Sequence, residues 1–241
     1  MHVMKQSSFI LFSISLLGAG AQAASIGINF GSGRANAALD PADVAGVVPQ
    51  SNWNNAAGAS GSLTVLNTDG GTASGAALSW ATDEQWSIGG PGADANGTLL
   101  NGWVSANNTA DPPAAIDVTN IPFAVYDLYV YMNHDRDSED VDVTGPFGTF
   151  RLHENNSDIL SPISFVEQTV SADGDPAQQG NYARFANLTA SDLNLILSPA
   201  GTEGSVDRGA ITGIQLVQVP EPSASLLVAV AALAGGLRRR R

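Results

Sequence analysis

The sequence predicts an all-β fold, an antiparallel β-sandwich of jelly-roll type, followed by a C-terminal transmembrane helix. Three observations lead to that class. Between Ser25 and Val217, short runs rich in β-branched and aromatic residues are broken at close intervals by Gly, Pro, Asn and Asp, and long stripes of 3.6-residue period are scarce. The stretch from Ala24 to Val219 holds 196 residues with no low-complexity linker, enough for one core and a better fit to one domain than to two. From Ser223 to Leu237 there is no charged residue, and Arg238, Arg239, Arg240 and Arg241 follow.

In chain order, residues 1–23 read as a secretory signal peptide. Lys5 supplies the positive end, Phe9 to Leu17 the apolar stretch, and Ala21-Gln22-Ala23 the small-residue cleavage site, so the exported domain is expected to begin near Ala24. Strands are expected at Ser25 to Phe30, Ser62 to Leu66, Ala115 to Thr119, Val125 to Met132, Gly148 to His153, Phe165 to Ser171, Tyr182 to Leu188, Leu193 to Leu197 and Ala210 to Val217. A short helix is expected from Asp40 to Val44, where Asp40 caps and Pro41 suits the first turn. The clearest strand is Val125 to Met132. Its alternation places Tyr126, Leu128, Val130 and Met132 on one face and Tyr129 and Tyr131 on the other, which predicts a central position with both faces covered. Short strands separated by turn signals are the pattern of a two-sheet sandwich.

Charge narrows the range of partners. Residues 24–219 carry five arginines, no lysine and 22 acidic residues, a formal charge of −17. Such a field disfavours nucleic acid and anionic lipid and leaves metal cations, cationic surfaces and neutral glycans. With no cysteine in the chain there is neither a disulfide framework nor a thiolate nucleophile.

Two constellations carry possible binding chemistry. Asp135, Asp137, Glu139, Asp140 and Asp142 form the densest acidic stretch, directly after the clearest strand. Hard oxygen donors at that density suit Ca²⁺. The EF-hand pattern fails, because counting from Asp135 the sixth position is Asp140 instead of Gly and the twelfth is Pro146 instead of Glu. A solvated loop without an ion is the other reading. Asp173-Gly174-Asp175 is a weaker cation candidate, and a turn with no ion is the favoured reading of it. Trp53, Trp80, Trp86 and Trp103 lie amid Gly, Asn, Ser and Thr. An exposed indole face flanked by amides would suit sugar rings, and Trp53 beside Asn54 and Asn55 is the first candidate. Core packing is the competing role for each of the four.

Signals of enzymatic activity are poor. His153-Glu154-Asn155-Asn156-Ser157 starts like a zinc-protease helix but has Ser157 where the second histidine belongs. Neither a G-x-S-x-G elbow nor a phosphate-binding P-loop is present. The chain is therefore read as non-enzymatic. A polysaccharide hydrolase with a carboxylate pair stays open as a third reading, since only separation in space identifies such a pair.

The tail speaks for an address. An apolar helix over residues 223–237 would be roughly 22 Å long, short for a bilayer core of about 30 Å. That suits a temporary anchor better than a permanent one, and the arginines place its end in the cytoplasm. Pro220 and Pro222 around Glu221 keep a helix from running out of the domain and leave an extended segment. Pro220-Glu221-Pro222, the apolar run and the cluster Arg238 to Arg241, in that order, resemble the PEP-CTERM sorting signal of bacterial exosortase substrates. The resemblance implies an exported protein, anchored transiently in the inner membrane, cut by an exosortase and passed to the cell surface or extracellular matrix, with exopolysaccharide as a possible partner. Ile26 to Gly31, Gly46 to Pro49 with Trp53-Asn54-Asn55, Tyr126 to Met132 and Ala210 to Val217 resemble ectodomains of that family and, weakly, malectin-like and galactose-binding-like sandwiches, which often bind carbohydrate.

Overall fold

The computed structural model describes residues 23–90, 92, 94–107, 113–134, 140–153, 164–169, 180–200 and 208–220. Among them the chain forms β1 (Ser25–Phe30), β2 (Asn54–Ala56), β3 (Ser60–Leu63), β4 (Ala77–Ala81), β5 (Glu84–Ser87), α1 (Ala95–Leu99), β6 (Gly102–Asn107), β7 (Ala114–Thr119) and β8 (Tyr126–Tyr131). It continues with β9 (Val141–Gly145), β10 (Gly148–Leu152), β11 (Tyr182–Leu188), β12 (Leu193–Pro199), β13 (Arg208–Ile211) and β14 (Gly213–Gln218). One sheet has the order β11-β8-β14-β1-β2, a second β10-β9-β12-β7-β4-β3, and a small third β13-β6-β5. All these pairs are antiparallel except β1 with β2. The fold is thus all-β and sandwich-like.

Pleating explains why the two large sheets face each other. Successive side chains alternate across a strand, so Ile26, Ile28 and Phe30 of β1, Leu128 and Val130 of β8, and Ile214 and Leu216 of β14 point to one side. They meet Leu78 and Trp80 of β4, Ile116 and Val118 of β7, Val141 and Val143 of β9, and Leu193, Leu195 and Leu197 of β12 in a single buried cluster. On β12 and β7 the alternate residues Asn194 and Asp117 turn outward and bond to each other, Nδ2 donating to Oδ1 at 2.6 Å. The reverse side of β8 is covered too. Tyr129 and Tyr131 pack there with Leu39, Trp53, Leu99, Leu100 and Tyr182 in a second cluster. The central position expected for this strand is what the structure has.

Strand ends sort into two poles. Short turns join β7 to β8, β9 to β10 and β11 to β12 at one pole, where β1 starts and β14 ends as paired neighbours, Ser25 opposite Val217. The longer connections after β6, β8, β10 and β12 leave from the other pole.

Several elements differ from expectation. Ala210 to Val217 is divided at Thr212: residues before it pair with β6, residues after it with β8 and β1. The Thr212 amide donates to the Tyr131 carbonyl at 2.9 Å, and its own carbonyl accepts from Phe30 at 2.8 Å, so the chain changes sheets without losing backbone bonds. Gly213 makes the passage possible, since a Cβ there would lie 2.8 Å from the Ile28 carbonyl oxygen. Asp40 to Val44 is not a helix. Asp43 donates its amide to the Asp40 carbonyl at 2.9 Å and accepts the Asp40 amide on its carboxylate at 2.7 Å, closing a turn instead. The helix that does form, α1, starts at Asp94, whose carboxylate accepts from the Gly97 amide at 2.8 Å. Ser62 to Leu66 is shifted to β3, and the described part of Phe165 to Ser171 forms only an isolated bridge, Glu167 to Tyr182. β2, β4, β5, β6 and β9 were not expected. The predicted signal peptide lies outside the described residues, apart from Ala23, as does the apolar run 223–237. No helix among the described residues is long and apolar enough to cross a membrane.

Burial ties the tyrosines to alkaline stability. The chain has four, Tyr126, Tyr129, Tyr131 and Tyr182, and burial is the leading cause that raises each of them. Tyr126, whose hydroxyl donates to the Ala190 carbonyl at 3.0 Å, is pushed up to about 12. Tyr131 donates to Gln215 Oε1 at 2.7 Å and accepts the Val47 amide at 2.9 Å. A folded-state value above the unfolded one of about 10 means a stabilisation complete below pH 10 and lost progressively as pH rises toward 12 and beyond. Tyrosinate absorbance should therefore stay low at pH 10 and appear together with unfolding at higher pH. Ionisation of the full set near pH 10 with the fold intact would contradict this assignment.

Candidate functional site

The first ligand candidate is built into the fold. Trp53 follows the turn that bridges Ala45 to Gln50 and is only 5% exposed. Its Nε1 donates to the Gln50 carbonyl at 3.1 Å. One face lies on Gly27, where a Cβ would come within 2.6 Å of the ring, and the Tyr131 ring stands edge-on at 6.1 Å. Asn54 donates to the carbonyls of Gly27 at 2.8 Å and Asn67 at 2.9 Å, and accepts the Asn67 amide at 2.8 Å. Asn55 donates to the Leu39 carbonyl at 2.8 Å and accepts from Asn29 Nδ2 at 2.8 Å and the Leu39 amide at 3.1 Å. The expected exposed platform is thus corrected: Trp53 is a core side chain, and both asparagines clamp loops that have no ladder partners of their own. The physical reason is Gly27, whose missing side chain opens a slot in β1 that the indole fills.

The other tryptophans stand in strands, not in loops. Trp80 is buried, with Nε1 donating to the Gly58 carbonyl at 2.9 Å and its ring edge-on to Phe30. Trp103 is wholly buried, its ring centroid 4.6 Å from that of His134. Trp86, on the edge strand β5, is 44% exposed, and the Arg34 guanidinium lies 4.5 Å from the centre of its ring. Arg34 is held there by donating through Nε to the Gln85 carbonyl at 2.9 Å. This cation–π pair spans 52 positions of sequence, and no local pattern announces it.

Ionic chemistry gathers at the pole of long connections. Asp140 and His153 are both buried and meet at 2.9 Å, Oδ2 to Nδ1. The His153 amide donates to Gln168 Oε1 at 2.7 Å, and Gln168 Nε2 donates to the Arg151 carbonyl at 2.7 Å. Arg151 grips both oxygens of Asp142 at 2.8 and 2.9 Å. The Asp140 carbonyl accepts the Ala200 amide at 3.0 Å, which joins β9, β10, the 164–169 segment and β12 into one network. Asn133 adds a bond from Nδ2 to the Leu100 carbonyl at 2.7 Å.

Of the five carboxylates proposed for Ca²⁺, the two described, Asp140 and Asp142, meet different side chains, His153 and Arg151. Asp135, Asp137 and Glu139 lie outside the described residues, as do Asp173 to Asp175. Among the described residues, no three His, Cys, Asp or Glu stand together in a way that could hold a metal ion. His153 with Asp140 is an oriented imidazole–carboxylate pair, and the backbone on each side of it is tied to a neighbouring element, His153 to Gln168 and Asp140 to Ala200. Of the sorting residues, Pro220 is described and exposed, whereas Glu221, Pro222 and Arg238 to Arg241 lie outside. Comparison with known protein families, curated proteins and solved structures finds no match to this chain.

Different burial predicts different costs for two tryptophans. Trp53→Ala should lose about 3–5 kcal/mol by emptying the slot over Gly27. Trp86→Ala should lose only about 0.5–1 kcal/mol, the worth of an exposed cation–π pair. Urea unfolding of both variants checks this, and similar losses would show that Trp53 does not carry the packing assigned to it.

Proposed function

We propose that this chain is an exported protein of the cell envelope or extracellular matrix, sorted by an exosortase through a PEP-CTERM tail, with a non-enzymatic structural or adhesive β-sandwich as cargo. The sandwich is of jelly-roll type in this reading, and residues 223–237 form the transient membrane helix. The observation that carries the proposal is the order of Pro220-Glu221-Pro222, an uncharged apolar run and four arginines.

The way the fold ends supports it. β14 stops at Gln218, the Val219 amide still donates to the Val125 carbonyl at 2.9 Å, and Pro220 is exposed. A cut after Pro220 would leave every strand and every core side chain among the described residues in place. The other end behaves alike. The Ala24 carbonyl accepts the Gln218 amide at 2.9 Å and β1 begins at Ser25, so removal of a signal peptide before Ala24 leaves the ladder whole. The sequence carries neither a G-x-S-x-G elbow, a phosphate-binding P-loop nor a complete H-E-x-x-H motif, which favours a structural or adhesive cargo over a hydrolase.

Intact mass spectrometry of the protein recovered from its native envelope, beside Glu221→Ala, tests the reading. The expected result is a native mass lacking both terminal segments and a variant that keeps its tail. A native protein that still ends at Arg241 would overturn exosortase sorting.

A further inference from the structure

The two terminal segments meet the domain side by side. β1 starts at Ser25 and β14 ends at Gln218, whose amide donates to the Ala24 carbonyl at 2.9 Å. Four connections turn at this same pole: residues 64–76 between β3 and β4, 120–125, 146–147 and 189–192. The first belongs there because Leu63 pairs with Leu78 and Ala77 with Thr119. These connections contain no basic residue and two acidic ones, Asp69 and Asp192. Each of the two carboxylates accepts a backbone amide of its own pole, Asp69 from Ser25 at 3.3 Å and Asp192 from Asn120 at 3.0 Å. Pro122, Ala124 and Pro146 are exposed there, and Val65 is 52% exposed. The connections that join strands at the opposite pole, 108–113, 132–140, 153–181 and 200–207, carry 12 of the 22 acidic residues of the domain against one arginine. The excess negative charge is therefore polarised along the strands, away from the tail.

The tail leaves little slack. The Val219 amide makes the last tie to the domain, and only Pro220-Glu221-Pro222 stand between it and the apolar run that begins at Ser223. Four residue steps reach at most about 14 Å, and one headgroup layer is itself roughly 5–8 Å deep. A domain anchored through that run has its tail pole at the headgroups. β12, seven residues long, rises about 23 Å from this pole toward the other. With the strands upright, that length puts the acidic pole well beyond the Debye length of about 8 Å. Lying on its side, the domain would press those acids against an anionic surface within that distance. The overall charge of −17 opposes anionic lipid, and the tail pole is where that opposition is weakest. We propose that the anchored domain stands upright on the bilayer, its near-neutral tail pole against the phospholipid headgroups and its acidic pole directed away. The inference rests on the sorting reading above and gives the domain itself a lipid surface as partner while the tail is in place.

The chain has no cysteine, so a single introduced one can carry a fluorophore. Ser191→Cys by the tail pole and Ser198→Cys by the other are both at exposed positions near the two ends of β12. Each labelled full chain is reconstituted in vesicles of phosphatidylethanolamine and phosphatidylglycerol that contain a spin-labelled headgroup lipid, a short-range quencher. The expected result is severalfold stronger quenching at Ser191→Cys than at Ser198→Cys. The difference should narrow at 1 M salt, where the Debye length is about 3 Å and the acidic pole is free to approach, and in uncharged phosphatidylcholine vesicles. Melting curves check each variant, and Thr189→Cys, exposed in the same turn, replaces Ser191→Cys if that variant does not fold. Equal quenching at the two positions, stronger quenching at Ser198→Cys, or a difference that neither salt nor lipid charge alters would overturn the proposal while leaving the anchor intact. A chain that does not associate with vesicles at all would end the anchoring reading and this inference with it.

Discussion

Burial of β8 on both faces is the constraint from which the architecture follows. A strand whose two sides are apolar cannot lie at a surface, so it needs a sheet facing it on one side and covering chain on the other. The first demand is met by β7, β12 and β9 across the core, the second by the segment that carries Leu39 and Trp53 together with Leu99 and Leu100 of the helical region. Tyr131 joins the covering layer to the sheet, because its hydroxyl sits between the Val47 amide and Gln215. Gln215 in turn donates to the Val48 carbonyl at 2.7 Å and to Gln50 Oε1 at 2.8 Å. A polar network of this kind under a covering loop fixes its position where apolar contact alone would leave it free to slide.

Stability is managed without covalent staples and with few cations. Each described arginine has a definite partner: Arg34 the Gln85 carbonyl and the Trp86 ring, Arg151 Asp142, Arg184 Asp127, and Arg208 Glu84. The Asp127 case shows how one carboxylate is shared. It accepts Arg184 on one oxygen and the Asn187 amide at 2.9 Å on the other, next to the irregularity where β11 slips against β8. Hydrogen bonding to Asp127 leads the causes that raise Arg184, which stays charged throughout. Among the described residues Asp40, Asp94 and Asp192 face solvent, where repulsion is screened.

Strands with two apolar faces, or one clean alternation, were legible in the sequence. Ser25 to Phe30 and Tyr182 to Leu188 occur with the expected bounds, and Leu193 to Leu197 extends only to Pro199. Strands of mixed composition were not. Ala77 to Ala81 and Gly102 to Asn107 contain Ser, Gly and Asn at positions that a loop would also use, and only pairing with a neighbour distant in sequence makes them strands. The helix at Ala95 is too short to show a period. At the candidate site, residue type pointed to Trp53 and the acidic run. Exposure is a property of the assembled sheets, however, and it left Trp86 outside and Trp53 within.

One property of the last strand bears on the proposed place at a cell surface. β14 lies between β8 and β1, antiparallel to both, and runs directly into the tail. Ladder bonds stand perpendicular to the strand axis. A mechanical pull on the tail, such as drag on a cell or matrix would exert, runs along β14 and shears both ladders at once instead of unzipping them bond by bond. The strand that leads into the proposed sorting tail is also the one best seated to bear the load.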